Sequence, residues 1–193
     1  MFKKGLLITA ITMMAITPSF AKAYKIDKAH SSVGFNVRHL GLSKTHGHFD
    51  KYSINVDWDD ETPNNTKISA TVAVKSIDTG IKRRDNHLKS ADFFDAKQYP
   101  NITFESTAMR KVSDSEYVLY GNLTLKETTK KVRIPLELIG RNEMKGKERI
   151  GLEGQFKINR FDYGVEWKNK LKNGTLIVSD TVTISLDIQL IEK

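Results

Sequence analysis

The sequence contains no cysteine, so no disulfide can hold the fold together and no thiolate is present to act as a nucleophile or a metal ligand. For the same reason, no thiol follows the N-terminal apolar run to carry a lipid. Internal repeats, low-complexity tracts and a linker between domains are also missing. A chain of this size buries enough surface to fold without disulfides, so these absences predict a single disulfide-free domain.

The common catalytic motifs are absent as well. There is no G-x-S-x-G elbow, no H-E-x-x-H pair and no phosphate-binding loop. We therefore predict that the protein is not an enzyme, and we assign it no catalytic residue and no cofactor. Catalytic groups brought together from distant strands would leave no such motif, so an enzyme acting on an isoprenoid or lipid-like substrate remains the alternative.

One long apolar run is present, at the N-terminus. Residues 1–4 carry two lysines, residues 5–16 are almost wholly apolar, and residues 21–23 read Ala-Lys-Ala. This order is typical of a secretory signal peptide, and the run is too short to cross a bilayer as a helix. We predict a signal peptide over residues 1–23 that is cleaved after Ala23, followed by a periplasmic domain over residues 24–193.

The charge of the chain is moderately basic. Loss of the predicted signal peptide removes Lys3, Lys4 and Lys22, so the formal charge falls from +8 to +5. A basic surface attracts nucleic acid or anionic membrane, and secretion argues against nucleic acid. We predict no nucleic-acid partner. The basic charge is consistent with transient contact with an anionic membrane surface or with an ordinary solvated surface.

From Tyr24 onward the chain reads as a series of strands. The clearest is the last, where Val182, Ile184, Leu186, Ile188 and Leu190 alternate with polar residues. Period-two alternation marks half-buried antiparallel strands, and short turns between runs favour neighbouring strands. About eight such strands build either a sandwich or a closed barrel, and alternation alone does not choose between them. Pro135 predicts a bulge or an unpaired edge, because proline cannot donate to a ladder.

The strand pattern breaks once, over residues 76–106. A charged cluster there predicts a helix from about Gly80 to Lys89, capped by Asp78 or Thr79. The chain re-enters a strand after Pro100, because proline keeps the residue before it out of the helical region. Between helix and strand lie Phe93, Phe94 and Tyr99. They fit either core plugs or the mouth of a cavity, since both use the same residue types.

The same region carries a family fingerprint. Residues 84–95 read R-D-x-H-L-x-S-A-D-F-F-D and residues 99–106 read Y-P-x-I-x-F-x-S. Further matches are D-x-x-H-S-x-V-x-F at 27–35, G-x-L-T-L at 121–125 and R-F-D-Y-G at 160–164. In order and across nearly all of residues 24–191, the chain resembles the YceI-like family.

This resemblance implies an all-β fold, an eight-stranded antiparallel lipocalin-like barrel with a short helical insertion. It also implies a secreted binding protein that encloses a long apolar ligand for transport, storage or sequestration. A polyisoprenoid, an isoprenoid quinone or a fatty-acyl derivative would be the ligand, as the small-molecule partner. An adhesin with a packed barrel and an exposed apolar patch is a third reading.

An eight-stranded barrel has room for packed side chains or for one small ligand, and the small residues Ala70, Gly121 and Gly154 would leave space. We predict that the cavity or its mouth is lined by Phe35, Val37, His39, Val72, Phe93, Phe94, Tyr99, Phe104, Leu123 and Phe156. The predicted head-group contacts are Arg84, His87 and Lys89. A homodimer through exposed strand edges is an open option.

Two histidines, His46 and His48, lie two residues apart on a predicted strand and would share one face. A metal site needs a third or fourth ligand, for which His30 or His39 are the candidates, but the sequence gives no distance. We therefore favour a surface or strand-end role for this pair and predict no metal site.

Overall fold

The computed structural model describes residues 21–193, so residues 1–20 of the predicted signal peptide lie outside it. The described chain has one α-helix, α1 (Lys82–Lys89), and short 3-10 turns at Lys28–His30, Pro63–Asn65, Val74–Ser76 and Arg160–Tyr163. Its strands are β1 (Lys22–Ile26), β2 (Ser32–His39), β3 (Ser43–Phe49), β4 (Tyr52–Trp58), β5 (Lys67–Ala73), β6 (Ile77–Asp78), β7 (Asn101–Lys111), β8 (Glu116–Leu125), β9 (Thr128–Met144), β10 (Lys147–Asn159) and β11 (Val178–Glu192).

Eight of these strands form a closed antiparallel ring in the order β1-β4-β5-β7-β8-β9-β10-β11. The ring closes where β1 pairs with the end of β11, through Tyr24 with Glu192 and Ile26 with Leu190. The predicted eight-stranded antiparallel barrel is therefore confirmed.

Three further strands extend the wall at one end of the barrel. The first two thirds of β11 pair with β2 rather than β1, from Val178 opposite His39 to Asp187 opposite Ser32. Strand β3 then pairs with β2, and the short β6 pairs with β3. Because β1 and β2 share the edge of β11, the 3-10 turn between them is a bend in one continuous wall.

The alternating apolar residues face the interior and form the core. At the end of the barrel where β1 begins, the side chains of Trp58, Tyr24, Met109, Ile150 and Leu190 are almost fully buried. Glu148 accepts hydrogen bonds there from the Tyr24 hydroxyl at 2.5 Å and from Arg141 Nη1 at 3.0 Å. Packed side chains and this polar clamp close that end, which we call the closed end.

Strand β1 also includes residues that the predicted processing would remove. Lys22 pairs with Trp58 and Ala23 with Asp57 of β4, and Lys22 Nζ donates to Glu148 at 3.0 Å. Cleavage after Ala23 would leave β1 beginning at Tyr24, which still pairs with both neighbours. The cleavage site stays a prediction.

Pro135 lies where two strands separate. It pairs with Val118 of β8, whereas the pairing of β9 with β10 extends only to Leu136 opposite Gly154. The unpaired edge expected at this proline is therefore present.

The helix begins later than predicted. Gly80 has a φ of 77°, which a right-handed helix does not admit, so α1 starts at Lys82 after Ile81. The expected capping by Asp78 or Thr79 is wrong. Instead Asp85, inside the first turn, accepts from Thr79 N at 2.9 Å and from Thr79 Oγ1. Among residues 21–193, no helix has the length and apolar character needed to cross a membrane.

Candidate ligand-binding site

A cavity of about 370 Å³ lies inside the barrel at the end opposite the closed end. We call its opening the mouth. Strands β2 and β3, α1 with the turn after it, and the segment between β10 and β11 surround it. Its volume falls in the range of small-molecule sites. The aromatic side chains around it are Phe35, Phe49, Phe93, Phe94 and Trp167.

A second, smaller compartment of about 160 Å³ lies deeper in the barrel. Its walls are almost wholly apolar and reach down to Leu152 and Leu190. Five side chains line both compartments, so the two adjoin at a waist formed by Phe35, Phe49, Ile102, Leu123 and Ile184.

Two of the small residues expected to leave space are in fact covered. A Cβ on Gly121 would lie 2.3 Å from Phe104 Cζ, and one on Gly154 would lie 2.8 Å from Leu136 Cδ2. Neighbouring side chains therefore fill the space above both glycines, and that expectation is wrong for them. Ala70 does line the deeper compartment. Gly47 is likewise covered by a neighbouring side chain, because a Cβ there would lie 2.4 Å from Cζ of Phe35 at the waist.

The mouth is covered by an aromatic lid made of two segments. Phe93, from the turn after α1, stacks on Trp167 with ring centroids 5.4 Å apart and an interplanar angle of 27°. His87 of α1 meets both rings edge-on, and its Nε2 lies 2.9 Å from Asp92 Oδ2. The lid thus joins the helical insertion to the segment before β11.

Arg160 holds the second segment of the lid in place. Its side chain is only 4% exposed and donates to the carbonyls of Ser179, Val165, Trp167 and Val178 at 2.6–3.0 Å. Burial lowers the pKa of this guanidinium, and the nearby Asp180 opposes that effect. Trp167 is therefore fixed from behind by a buried cation that is bonded to backbone oxygens.

The structure gathers most of the predicted lining residues. Phe35, Val37, His39, Phe93, Phe94 and Leu123 line the cavity at the mouth, and Val72, Phe104 and Phe156 line the deeper compartment. Tyr99 lines neither compartment. Its hydroxyl donates to Glu127 at 2.5 Å, which raises its pKa to about 12, and Lys126 lies over its ring. Contact of these residues with a ligand stays a prediction.

The predicted head-group residues divide in the same way. Arg84 and His87 line the cavity, whereas Lys89 does not. Arg84 donates from Nε to Thr79 Oγ1 at 2.7 Å and from Nη2 to Thr79 O at 2.8 Å. Three polar residues that line the cavity, Thr79, Arg84 and His87, therefore lie on or beside α1, and the other three are His39, Thr45 and Arg160.

Sequence reasoning missed Trp167 and Arg160 as lining residues. Arg160 belongs to the R-F-D-Y-G motif, so that motif was the available signal. Among residues 21–193, the one cluster of three potential metal ligands includes His48 but not His46. His48 lies with Asp50 and Asp78, their ligand atoms within 4.8 Å of one another, and His48 Nε2 is 3.1 Å from Asp50 Oδ1.

Comparisons with known proteins agree with this architecture. A family model described as a YceI-like domain matches residues 24–190. A UPF0312 protein of Pectobacterium atrosepticum is 36% identical over 170 residues, which cover 86% of this chain and 88% of that protein.

Solved structures also resemble the barrel. A YceI protein of Campylobacter jejuni has a TM-score of 0.71 and 32% identity, covering 87% of this chain and 96% of its own. A polyisoprenoid binding domain from Saccharophagus degradans has a TM-score of 0.67 over 89% of this chain and 99% of its own, but at 16% identity it shows the fold alone. From its sequence, its barrel and these relatives, the chain belongs to the YceI-like family.

Proposed function

We propose that the protein is a periplasmic binding protein that encloses a long apolar chain, such as a polyisoprenoid, an isoprenoid quinone or a fatty-acyl derivative. One observation carries the proposal. Two adjoining apolar compartments run from a lidded mouth to a packed closed end. A long, thin, apolar molecule matches that shape.

The energetics favour a long ligand over a compact one. Each buried methylene-sized group contributes about 0.8 kcal/mol, so a few isoprene units give a large gross gain. Ordering a flexible chain removes much of that gain, which favours a pre-formed cavity with fixed walls. The waist residues and the lid of Phe93 and Trp167 supply such walls.

The distribution of polar groups supports one direction of insertion. Arg84, His87 and Thr79 lie at the mouth, whereas the deeper compartment is almost wholly apolar. Burying a polar group without a partner costs free energy, so the tail should enter first and the head group should stay beside α1.

Two other observations support the proposal. The Saccharophagus degradans domain, which has the same fold, is described as binding a polyisoprenoid. The N-terminal pattern of basic, apolar and Ala-x-Ala segments supports export to the periplasm, where the chain would be transported, stored or sequestered.

Native mass spectrometry of the protein purified from its own periplasm tests the proposal. We expect a retained apolar molecule, and we expect the delipidated protein to bind prenyl lipids, quinones or fatty-acyl chains saturably. Ala70→Leu, which fills the deeper compartment, should shorten or reduce the retained chain. Ala91→Leu, at an exposed site, is the matched control. No saturable binding of any of these lipids would refute the proposal.

The enzyme alternative has one feature in its favour, the His87–Asp92 pair beside the cavity. If the protein turned over its ligand, that activity would disappear in His87→Ala. We expect the bound chain instead to leave the protein chemically unchanged. The adhesin reading predicted a packed barrel, and the two compartments argue against it.

A further inference from the structure

Exposed apolar side chains stand on three segments around the mouth. Leu42, in the turn between β2 and β3, is 77% exposed, Ile81 before α1 is 52% exposed, and Leu171 before β11 is 38% exposed. We call the segments that carry them, residues 38–44, 79–84 and 166–177, the mouth rim. Each of these segments also contributes residues to the lining of the cavity.

Hydrogen bonds connect and order segments of the mouth rim. Leu40 N donates to Ile177 O at 2.8 Å, and Arg38 Nη1 donates to Leu42 O at 3.0 Å. Leu171 N donates to Thr175 O at 2.9 Å, which turns that segment back on itself. The Leu42 and Leu171 tips are therefore fixed in neighbouring turns of the structure.

The mouth rim is strongly basic. Its three segments carry eight lysines and arginines against one acid, Glu166, which is paired with Lys168 at 3.3 Å. Two acids of the α1 region are already engaged, Asp85 with Thr79 and Asp92 with His87. Around the mouth, apolar tips therefore lie among cations that outnumber the acids, which include Glu166 and the neighbouring Asp180.

The closed end provides an internal comparison. Val112 and Met144 there are 63% and 52% exposed, so apolar tips alone do not distinguish the two ends. Its connections at residues 59–66, 112–115 and 145–146 carry four acids and one lysine. These connections and the mouth rim therefore differ in the sign of their charge, with the excess of cations on the mouth rim, where the cavity opens.

We propose that the mouth rim is a docking surface for an anionic lipid bilayer, which places the mouth of the cavity against the membrane. Apolar tips that enter the interface and cations that meet anionic head groups are the two contributions by which peripheral proteins hold to a bilayer. This inference rests on the proposed function, because docking in this orientation lets an apolar chain pass between bilayer and barrel without crossing water.

Sedimentation with large vesicles tests the proposal on the processed protein. We expect binding to vesicles that contain phosphatidylglycerol, binding at least tenfold weaker to pure phosphatidylcholine, and a loss of binding as salt rises. The double variant Leu42→Ser/Leu171→Ser should bind at least tenfold more weakly. Lys170→Ala/Lys172→Ala should lose roughly fivefold per cation removed.

The double variant Val112→Ser/Met144→Ser is the matched control, because it removes equally exposed apolar tips from the closed end. It should bind vesicles as the unaltered protein does. Equal losses in the two serine variants, or no binding to phosphatidylglycerol vesicles, would overturn the docking surface.

Ligand retention is measured separately on the same variants by native mass spectrometry. We expect the rim variants to keep their bound chain, because Leu42 and Leu171 do not line either compartment. Vesicle binding without any retained chain would refute the carrier and keep the docking surface. A retained chain without vesicle binding would do the reverse.

Discussion

Replacing Glu148 by glutamine should remove much of the acid sensitivity of the barrel. Burial alone would raise the pKa of Glu148, but hydrogen bonds from Tyr24, Lys22 and Arg141 outweigh burial and lower it from 4.5 to about 2. A pKa that is depressed in the folded state stabilises the fold above the unfolded pKa. That contribution is lost as pH falls from about 4.5 towards 2.

The size of the effect follows from the shift. At 1.36 kcal/mol per pKa unit, a drop from 4.5 to about 2 corresponds to at most about 3 kcal/mol. The carboxylate side chain is 21% exposed, so solvent screening reduces this only in part. We expect Glu148→Gln to cost about 2–3 kcal/mol at pH 7 and well under about 1 kcal/mol at pH 2, where the unaltered carboxyl is about half protonated in the folded state.

Urea unfolding at several pH values between 7 and 2 measures the unfolding free energy of the variant and of the unaltered protein. The control is Glu143→Gln, an exposed residue directly across the β9–β10 ladder from Glu148. In this control, the loss of unfolding free energy as pH falls should match that of the unaltered protein. If the unfolding free energy of Glu148→Gln falls with decreasing pH as steeply as that of the unaltered protein, the hydrogen bonds to Glu148 do not stabilise the closed end as proposed. A chain that begins at Tyr24 should show a smaller effect, because Lys22 is missing.

Four further predictions follow. Gly47→Ala must displace the Phe35 ring at the waist, so we expect a loss of about 1–3 kcal/mol in thermal unfolding and shorter retained chains by mass spectrometry. Phe93→Ala removes the stacking on Trp167, so a fluorescent prenyl ligand should dissociate at least tenfold faster in stopped-flow displacement; an unchanged rate would show that the lid does not limit release. Arg160→Leu removes the donor from four carbonyls, one in a buried and three in part-buried hydrogen bonds, and should cost about 3 kcal/mol in urea unfolding, with the largest loss of hydrogen-exchange protection in residues 164–178. Intact mass of the exported protein should correspond to a chain that begins at Tyr24, and a mass that retains Lys22 would contradict cleavage after Ala23.

The sequence predicted the wall of the barrel well because each strand buries one face. The alternation from Val182 to Leu190 shows this, and these residues pair with β10 as well as with β2 or β1. The alternation within the strands did not predict that the ring closes. Closure depends on pairing between Tyr24 and Glu192, and a local pattern carries no information on contacts across the whole chain.

The site was predicted less completely for related reasons. Trp167 lies in a polar segment without periodicity, and its role appears only from contacts in the folded structure, such as its stacking on Phe93. Gly121 and Gly154 suggested empty space, but a missing Cβ is as readily covered by a neighbour's side chain. Tyr99 was placed at the mouth by its nearness to Phe94 in sequence, whereas Glu127 draws its hydroxyl elsewhere.

The packed closed end limits how far a ligand can enter the barrel, so the cavity has a fixed depth. From Leu152 in the deeper compartment to Ile158 near the mouth, β10 rises about 20 Å, or roughly 15 Å along the axis of a barrel with strands tilted by about 40°. A chain shorter than this depth would draw its head group among apolar walls, and a longer one would leave carbons in water. If the protein binds the proposed apolar chain, this interior should sort homologous lipids by the number of their repeating units, even when their head groups are identical.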